Sequence, residues 1–259
     1  MKNRMHFAPY YFLNITHPVT IAVIGCGGTG SLTIPRLARL DYALQKLGHP
    51  GLHVMVYDGD IVEQNNVGRQ NFTVSDIGQF KASNIIEKVN YAFGLQWEAI
   101  NEYINPLIPR CNITITCVDV IKPRLDIKAS IKTIYANQYD DYTKKYYWID
   151  AGNGKDFGQV VLGTISKIKQ PKTSLFKTVS NLKNVFDLFP LMEENDNIDD
   201  QGIEGCSMHS SLHKQDLFIN DNIAVHICQI LYKLIYEKQI EYNGVIINQE
   251  SFITKGFHV

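Results

Sequence analysis

The amino-acid sequence predicts a single α/β domain built on a doubly wound, mainly parallel sheet. Three observations lead to this prediction. The apolar, β-branched run Val19 to Ile24 stops at a cluster of glycines, as a buried parallel strand does. Similar runs then alternate with segments of helical spacing along most of the chain. The composition is that of an ordinary globular protein, because 45% of the 259 residues are hydrophobic and 20% are charged.

The elements follow in order from the first strand, Val19 to Ile24. Leucines at helical spacing predict a helix over Ser31 to Leu47, and the breaker Gly48 to Gly51 leads to a second strand, His53 to Tyr57. The alternation continues with helices predicted over Asn84 to Phe93 and Lys128 to Asn137, and with strands predicted over Trp97 to Tyr103, Asn112 to Val120, Tyr146 to Ile149 and Gly158 to Ile168. This order is typical of a Rossmann-like sheet with helices on both faces.

The last third of the chain changes character. We divide the single domain, 1–259, into a lead-in (1–18), a core of alternating strands and helices (19–168), a crossover connection (169–214) and a C-terminal helix and tail (215–259). Six acidic residues and no basic ones lie between Glu193 and Glu204, as in a solvated connection. Helical spacing returns over Leu217 to Tyr236, and Gly244 to Val259 is predicted to form a short strand pair.

Charge and cysteine content exclude several classes of protein. With 25 basic and 26 acidic residues, the chain lacks the strong positive charge of a dedicated nucleic-acid binder, so direct nucleic-acid binding is not expected. No apolar run is long enough for a membrane span, and Met1 to Tyr11 shows no signal-peptide core. The five cysteines are odd in number and form no C-x-x-C pair, which argues against a disulfide framework. We therefore expect a cytoplasmic protein.

The glycine cluster is the first chemical signal. Gly25, Gly27, Gly28 and Gly30 form a Gly-x-Gly-Gly-x-Gly turn between the first strand and its helix. Such a turn lets the backbone approach a ligand, and the helix N-terminus offers free N–H groups to phosphate. Asp58, at the end of the next strand, is placed to accept hydrogen bonds from ribose hydroxyls. Plain alternatives are a turn that only packs strand on helix and an acid that only stabilises its own turn.

Further motifs make the pattern specific. Asp58 to Gln70 reads Asp-x-Asp-x-Val-Glu-x-x-Asn-x-x-Arg-Gln, and Ile77 to Ala82 reads Ile-Gly-x-x-Lys-Ala. In this order after a glycine turn, they resemble the ThiF/HesA/MoeB adenylyltransferases, bacterial relatives of ubiquitin-activating enzymes. The named motifs cover Val19 to about Asp119. The strings Ile149 to Asn153 and Gln215 to Asn220 are similar to the ThiF-like member of the PRTRC system, a bacterial gene set.

The resemblance implies ATP and Mg²⁺ as cofactors, and as substrate the C-terminal carboxylate of a ubiquitin-like or other small protein, activated as an acyl-adenylate. It also implies a homodimer. By motif position, Arg69 and Lys81 would act as catalytic cations on the triphosphate, and Asp119 would bind Mg²⁺ and complete the catalytic set. The other nucleotide-binding positions carried over are Gly25, Gly27, Gly28, Gly30, Asp58, Asp60, Asn66 and Gln70.

The sequence departs from the family pattern at a few positions. Asn65 stands where a serine is usual, Val67 where a leucine is usual, and Val120 where an asparagine commonly follows the aspartate. The last of these puts the detail of the metal or substrate contact in doubt, but not the aspartate itself. The C-x-x-C pairs that bind zinc in many relatives are absent from the sequence, so no structural zinc is expected.

Cys206 follows the acidic connection, and many members of the family carry a cysteine in that segment for thioester or persulfide chemistry. His209 lies close in sequence and would favour an activatable thiol. The alternative is an incidental loop cysteine. For the whole chain, two other functions stay open: a member of the fold that binds nucleotide or protein without catalysis, and an NAD-dependent oxidoreductase.

Overall fold

The computed structural model describes residues 3–104, 110–133, 144–190 and 216–259. Its strands are β1 (Arg4–Phe7), β2 (Val19–Ile24), β3 (Leu52–Tyr57), β4 (Glu98–Ile100), β5 (Ile113–Thr116), β6 (Tyr147–Asn153), β7 (Phe157–Thr164), β8 (Lys177–Thr178), β9 (Gln239–Ile240), β10 (Tyr242–Asn248) and β11 (Ile253–His258). Eight of them form the central sheet, in the order β11-β10-β7-β6-β5-β2-β3-β4. The helices are α1 (Tyr10–Leu13), α2 (Gly28–Lys46), α3 (Lys81–Phe93), α4 (Lys122–Thr133), α5 (Val185–Leu188) and α6 (Ile219–Tyr232), and α6 continues into a π-helical turn at Lys233–Glu237.

The sheet has a parallel part and an antiparallel part. β4, β3, β2, β5 and β6 run parallel to one another, whereas β7, β10 and β11 are added antiparallel at the edge next to β6. The predicted Rossmann-like sheet is therefore confirmed, and the tail forms the predicted strand pair, β10 and β11. The carboxyl ends of the parallel strands lie along one edge, where ligands bind in this architecture.

Both faces of the sheet are covered, as the alternation of side chains along β6 shows. Tyr147 and Ile149 belong to the large hydrophobic cluster that includes α2, α3 and α6. Trp148, between them, belongs to a second cluster on the opposite face with Ile127 of α4 and Phe186 of α5. Burial on both sides explains why the central strand β2 is an almost continuous apolar run, with all six residues buried.

The helix after the glycine turn starts earlier than predicted, at Gly28 and not at Ser31. Pro35 therefore lies inside α2, beyond its first turn. Proline has no N–H, so the carbonyl of Ser31, four residues earlier, loses its helical donor. The side-chain amide of Asn71 donates to that carbonyl at 3.4 Å. This contact also joins the loop after Arg69 to the helix.

The N-terminal lead-in contains a strand that the sequence did not predict. β1 pairs parallel with β8 and antiparallel with β9 in a small separate sheet. His6 of β1 donates from Nδ1 to the Val179 carbonyl at 2.7 Å and accepts at Nε2 from the Tyr147 hydroxyl at 2.7 Å. Burial lowers the pKa of His6 to about 4, so this ring is neutral at neutral pH. The small sheet is thus joined to the central one through an uncharged hydrogen-bond bridge.

Within the described ranges, no helix combines the length and apolar character needed to cross a membrane.

α6 packs on α2, and Arg36 of α2 forms an ion pair with Asp221 of α6 at 2.6 Å. This pairing brings the first turn of α6 towards the glycine turn that precedes α2.

Candidate active site

A pocket of about 810 Å³ lies at the carboxyl ends of the parallel strands and extends across β6 to β7 and β10. Its volume is within the range that buries small-molecule ligands. The structure brings nine of the predicted site residues together in its wall: Gly25, Gly27, Gly28, Asp58, Asp60, Arg69, Gln70, Lys81 and Asp119. Two others, Gly30 and Asn66, do not line the pocket.

The glycine turn joins β2 to α2 through two close backbone approaches. Gly25 has a φ of +92°, and a Cβ there would come within 2.6 Å of the Cys117 carbonyl oxygen. A Cβ on Gly30 would come within 1.9 Å of the Gly25 carbonyl oxygen, so Gly30 serves the packing of helix on turn. Nothing lies within 4 Å of a Cβ on Gly27, which caps α2 and faces the pocket. The N-terminus of α2 therefore opens towards the ligand space.

Asp58, at the end of β3, is 7% exposed and is held by two backbone donors. Its Oδ2 accepts from the Cys26 N–H at 2.5 Å, and its Oδ1 accepts from the Asp60 N–H at 2.8 Å. Burial raises the pKa of Asp58, and the two backbone hydrogen bonds oppose that shift only in part. The carboxylate thus links the glycine turn to the loop after β3.

Asp60 and Lys81 form an ion pair beside Asp58. Lys81 is 7% exposed as the first residue of α3, and its Nζ lies 2.8 Å from Oδ2 of Asp60. The Tyr103 hydroxyl donates to Oδ1 of the same carboxylate. Burial pushes the pKa of Asp60 upwards, but the hydrogen bonds from Lys81 and Tyr103 outweigh it and leave the pKa below its usual value. Asp60 therefore keeps its charge and fixes the ammonium group of Lys81 at the pocket.

Arg69 and Asp119 lie in the same wall of the pocket from separate loops. Burial lowers the pKa of Arg69, and the negative charge of nearby Asp119 counteracts that shift. Arginine stays charged even so, because its ordinary pKa is above 12. Asp119 follows β5 and is exposed. The arrangement presents a partly desolvated guanidinium group and an accessible carboxylate to one space.

Asn66 holds the turn from which Arg69 projects. Its Oδ1 accepts from the Glu63 N–H at 2.9 Å, and its Nδ2 donates to the Asn65 side chain at 2.9 Å. Its carbonyl accepts from the Gln70 N–H at 2.9 Å. The side chain is committed to the local turn, so a direct contact between Asn66 and nucleotide stays a prediction.

A buried ion pair that the sequence did not reveal lies under the Asp119 loop. Arg124 is 5% exposed and donates from Nε to Oδ1 of Asp150 at 2.8 Å, where Asp150 is 1% exposed. Arg124 also donates to the carbonyls of Val120 and Ala151 at 3.1 and 3.0 Å. These bonds tie the loop after β5 to the end of β6. No local sequence pattern marks the pair, because its members come from different elements and meet only in the fold.

The far end of the pocket is apolar with a few amides. Phe157 of β7, Phe189 after α5 and Ile246 of β10 line it together with the side chains of Asn153 and Gln159. The rings of Phe189 and Phe257 pack edge to face with centroids 5.9 Å apart. This region lies across β6 from the glycine turn, and the buried Arg124 is the charged side chain that lines it among the residues that the structure describes.

The predicted catalytic thiol, Cys206, lies outside the described residues, as does His209. Cys26, Cys111 and Cys117 are buried free thiols, and burial raises the pKa of Cys117 to about 12. A buried thiol with a raised pKa is a poor nucleophile. Across the described part of the chain, no three His, Cys, Asp or Glu side chains are grouped closely enough to hold a metal ion.

Several solved structures are similar to this one in fold. A selenomethionine crystal structure of PaaA superposes with a TM-score of 0.59 at 14% identity, covering 93% of this chain and 64% of that one. E. coli MccB with ATP gives 0.56 at 16%, and MccB with AMPCPP and MccA gives 0.58 at 16%, each covering 93% of this chain and 63% of that one. At such identity, these structures show a shared fold. No curated protein sequence matches significantly.

This chain spans about two thirds of the length of PaaA and MccB. The family model described as "ThiF family" matches residues 13–249, which includes the glycine turn, the Asp58 to Lys81 motifs, the Asp119 loop and α6. The match covers most of the 259 residues. On this evidence, the chain belongs to the ThiF family.

Proposed function

We propose that this protein is an ATP-dependent adenylyltransferase that activates the C-terminal carboxylate of a ubiquitin-like or other small protein or peptide. The observation that carries the proposal is the pocket itself. It brings the glycine turn, Arg69, Lys81 and Asp119 to one space, although these groups come from four separate segments of the chain. Such a set suits the transfer of a nucleotidyl group between anions.

The reaction needs two negatively charged partners to meet. An oxygen of the substrate carboxylate attacks the α-phosphorus of ATP, the bond to the bridging oxygen breaks, and pyrophosphate leaves. Arg69 provides a fixed, bidentate donor, and Lys81 provides a compact positive charge held in place by Asp60. The N-terminus of α2 adds backbone N–H groups and a partial positive charge. We assign the ribose hydroxyls to Asp58, because it lies at the carboxyl end of β3.

Asp119 fits a magnesium ion that arrives with the nucleotide. Mg²⁺ prefers oxygen ligands and is commonly held by one or two protein carboxylates, with phosphate oxygens and water completing its shell. Asp119 offers an exposed carboxylate in the pocket wall. When bound there, Mg²⁺ would neutralise part of the triphosphate charge.

The relatives support the substrate class. Solved structures of E. coli MccB include complexes with ATP, and with AMPCPP together with MccA, and others contain a succinimide or an isoasparagine form of MccA. Because this chain is shorter than MccB, the identity of its own substrate is part of the proposal. The same holds for the ubiquitin-like character of the substrate, PRTRC membership, the homodimer, and transfer of the product to Cys206.

The test is ATP–pyrophosphate exchange with a candidate small protein encoded beside this gene. The variant Arg69→Ala should lower exchange at least a hundredfold, because it removes a cation from the charge-developing step. Arg39→Ala is the matched control, since Arg39 is exposed on α2 and away from the pocket wall. Full exchange by Arg69→Ala would refute the proposed mechanism.

Calorimetry tests the two other functions. We expect Mg·ATP to bind more tightly than NAD, and NAD binding more tightly would support an oxidoreductase. Binding of Mg·ATP without turnover on any neighbouring small protein would support a member of the fold that only binds.

A further inference from the structure

Asn220 brings the C-terminal helix into the nucleotide pocket. It is the second residue of α6 and is 2% exposed, yet it lines the pocket beside Gly28 and Thr29. In sequence it lies far from the glycine turn, so the fold alone puts them together. None of the motifs that point to nucleotide binding includes it.

Two contacts hold the side chain of Asn220 against the first turn of α2. The Thr29 hydroxyl donates to Oδ1 of Asn220 at 2.9 Å. A Cβ on Gly28 would come within 2.7 Å of Nδ2, so the amide of Asn220 takes the place of a side chain at Gly28. The neighbouring ion pair between Arg36 and Asp221 fixes the two helices next to this contact.

We propose that Asn220 is a positioning residue of the nucleotide site, which holds the Gly28–Thr29 segment in the form that receives phosphate. The inference rests on the proposed function, because it assumes that the triphosphate lies at the N-terminus of α2. Asn220 acts through Thr29 and Gly28, and it makes the affinity for phosphate depend on the position of α6.

The neutral amide is part of the proposal. An aspartate at 220 has the same shape, and its oxygen still accepts from Thr29. It adds a negative charge at a position that is 2% exposed, so the cost of burying the charge opposes its favourable interaction with the helix dipole of α2. The same charge repels a phosphate bound close to it. The substitution should therefore weaken the binding of ATP, which carries phosphate, and leave the binding of adenosine, which carries none, almost unchanged.

The test compares Asn220→Asp with Asn222→Asp, which makes the same charge change at an exposed position two residues further along α6. ATP and adenosine affinities are measured by calorimetry, and thermal unfolding is followed in parallel. For Asn220→Asp we expect ATP affinity to fall at least tenfold and adenosine affinity to stay within twofold. For Asn222→Asp both affinities should stay within twofold.

Asn220→Ala gives a second, uncharged measurement. It removes the acceptor for Thr29 and should weaken ATP severalfold while leaving adenosine unchanged. Wild-type ATP affinity in both Asn220 variants would overturn the inference and leave the proposed function intact. An equal loss of ATP and adenosine binding together with a lower melting temperature would show a merely structural role and would also overturn it. If the wild-type protein binds no ATP, the proposed function itself fails.

Discussion

The two ends of the pocket are built in different ways. At the end next to β3, Asp58 and Lys81 are buried whereas Asp60 and Arg69 are partly exposed, and most of the charged side chains come from one stretch between Gly25 and Lys81. At the end next to β7, the charged pair among the described residues is Arg124 with Asp150, and both are almost fully buried. The proposed function puts a charged ligand at the first end, whereas the charges at the second end are paired with each other inside the protein.

Because of this difference, we expect the loss of a charge at the first end to affect ligand binding and the loss of a charge at the second end to affect stability. Lys81 pairs with an aspartate that is 45% exposed in its side chain, so water can stabilise Asp60 if the lysine is removed. Asp150 has no such access, because its side chain is 1% exposed. Loss of Arg124 would leave an uncompensated charge in the interior. Substitutions at the two ends should therefore be read out by different measurements.

The largest effect is expected at the buried end. Arg124→Leu should lower the free energy of unfolding by about 3–5 kcal/mol, because it strands the carboxylate of Asp150 and removes donors from two carbonyls. Urea denaturation of the variant measures this change. A loss below about 1 kcal/mol would show that the pair is not what joins the Asp119 loop to β6.

A double variant sharpens the same point. In Arg124→Leu/Asp150→Leu the stranded charge is gone, so much of the lost stability should return, since apolar residues commonly replace a buried ion pair at little cost. A double variant as unstable as the single one would instead assign the loss to the carbonyls of Val120 and Ala151. Nucleotide affinity, measured in each variant that folds, then reports how far the loop after β5 depends on the pair.

The two ends also differ in how far they could be predicted from sequence. The glycine turn, Asp58, Asp60, Arg69 and Lys81 follow one another at fixed spacing, and the fold indeed brings them together. Strand assignments succeed in the same region because buried parallel strands are continuous apolar runs ended by glycine or aspartate. A local sequence pattern is enough to predict the part of the site that is formed by elements consecutive in the chain.

The rest depends on contacts between distant segments. Arg124 meets Asp150, Asn220 meets Thr29, and β1 pairs with β8 and β9, all across large separations in sequence. β1 is only four residues long and contains arginine and histidine, so it lacks the apolar run that would predict a buried strand. Asn66 shows what a motif leaves open: its position predicts a contact with nucleotide, its side-chain hydrogen bonds in the structure hold a turn, and the contact with nucleotide stays a prediction.

At the charged end, Lys81→Met should affect catalysis and not folding. We expect ATP–pyrophosphate exchange to fall about a hundredfold or more, because a cation near the triphosphate is lost. The free energy of unfolding should change by less than about 1 kcal/mol, since Asp60 regains water. Lys46→Met, on the exposed side of α2, is the control. A destabilisation as large as that of Arg124→Leu would remove the contrast between the two ends.

The smallest predicted effect is the pH dependence of adenosine binding. It distinguishes the contribution of Asp58 to stability from its proposed contact with the ribose. Burial raises its pKa, so protonation favours the folded protein, and the stability that this group contributes is present at low pH and lost as the pH rises through its folded-state pKa. Binding of ribose hydroxyls needs the ionised acceptor, so adenosine affinity should fall as the solution becomes acidic. Asp58→Asn should bind adenosine about tenfold more weakly at neutral pH, because one hydrogen bond to a charged group is lost. Its adenosine affinity should not fall as the solution becomes acidic. Calorimetric titrations of the wild-type protein and of Asp58→Asn at several pH values measure these affinities. If the adenosine affinity of the wild-type protein does not change with pH, the ribose is not bound by Asp58.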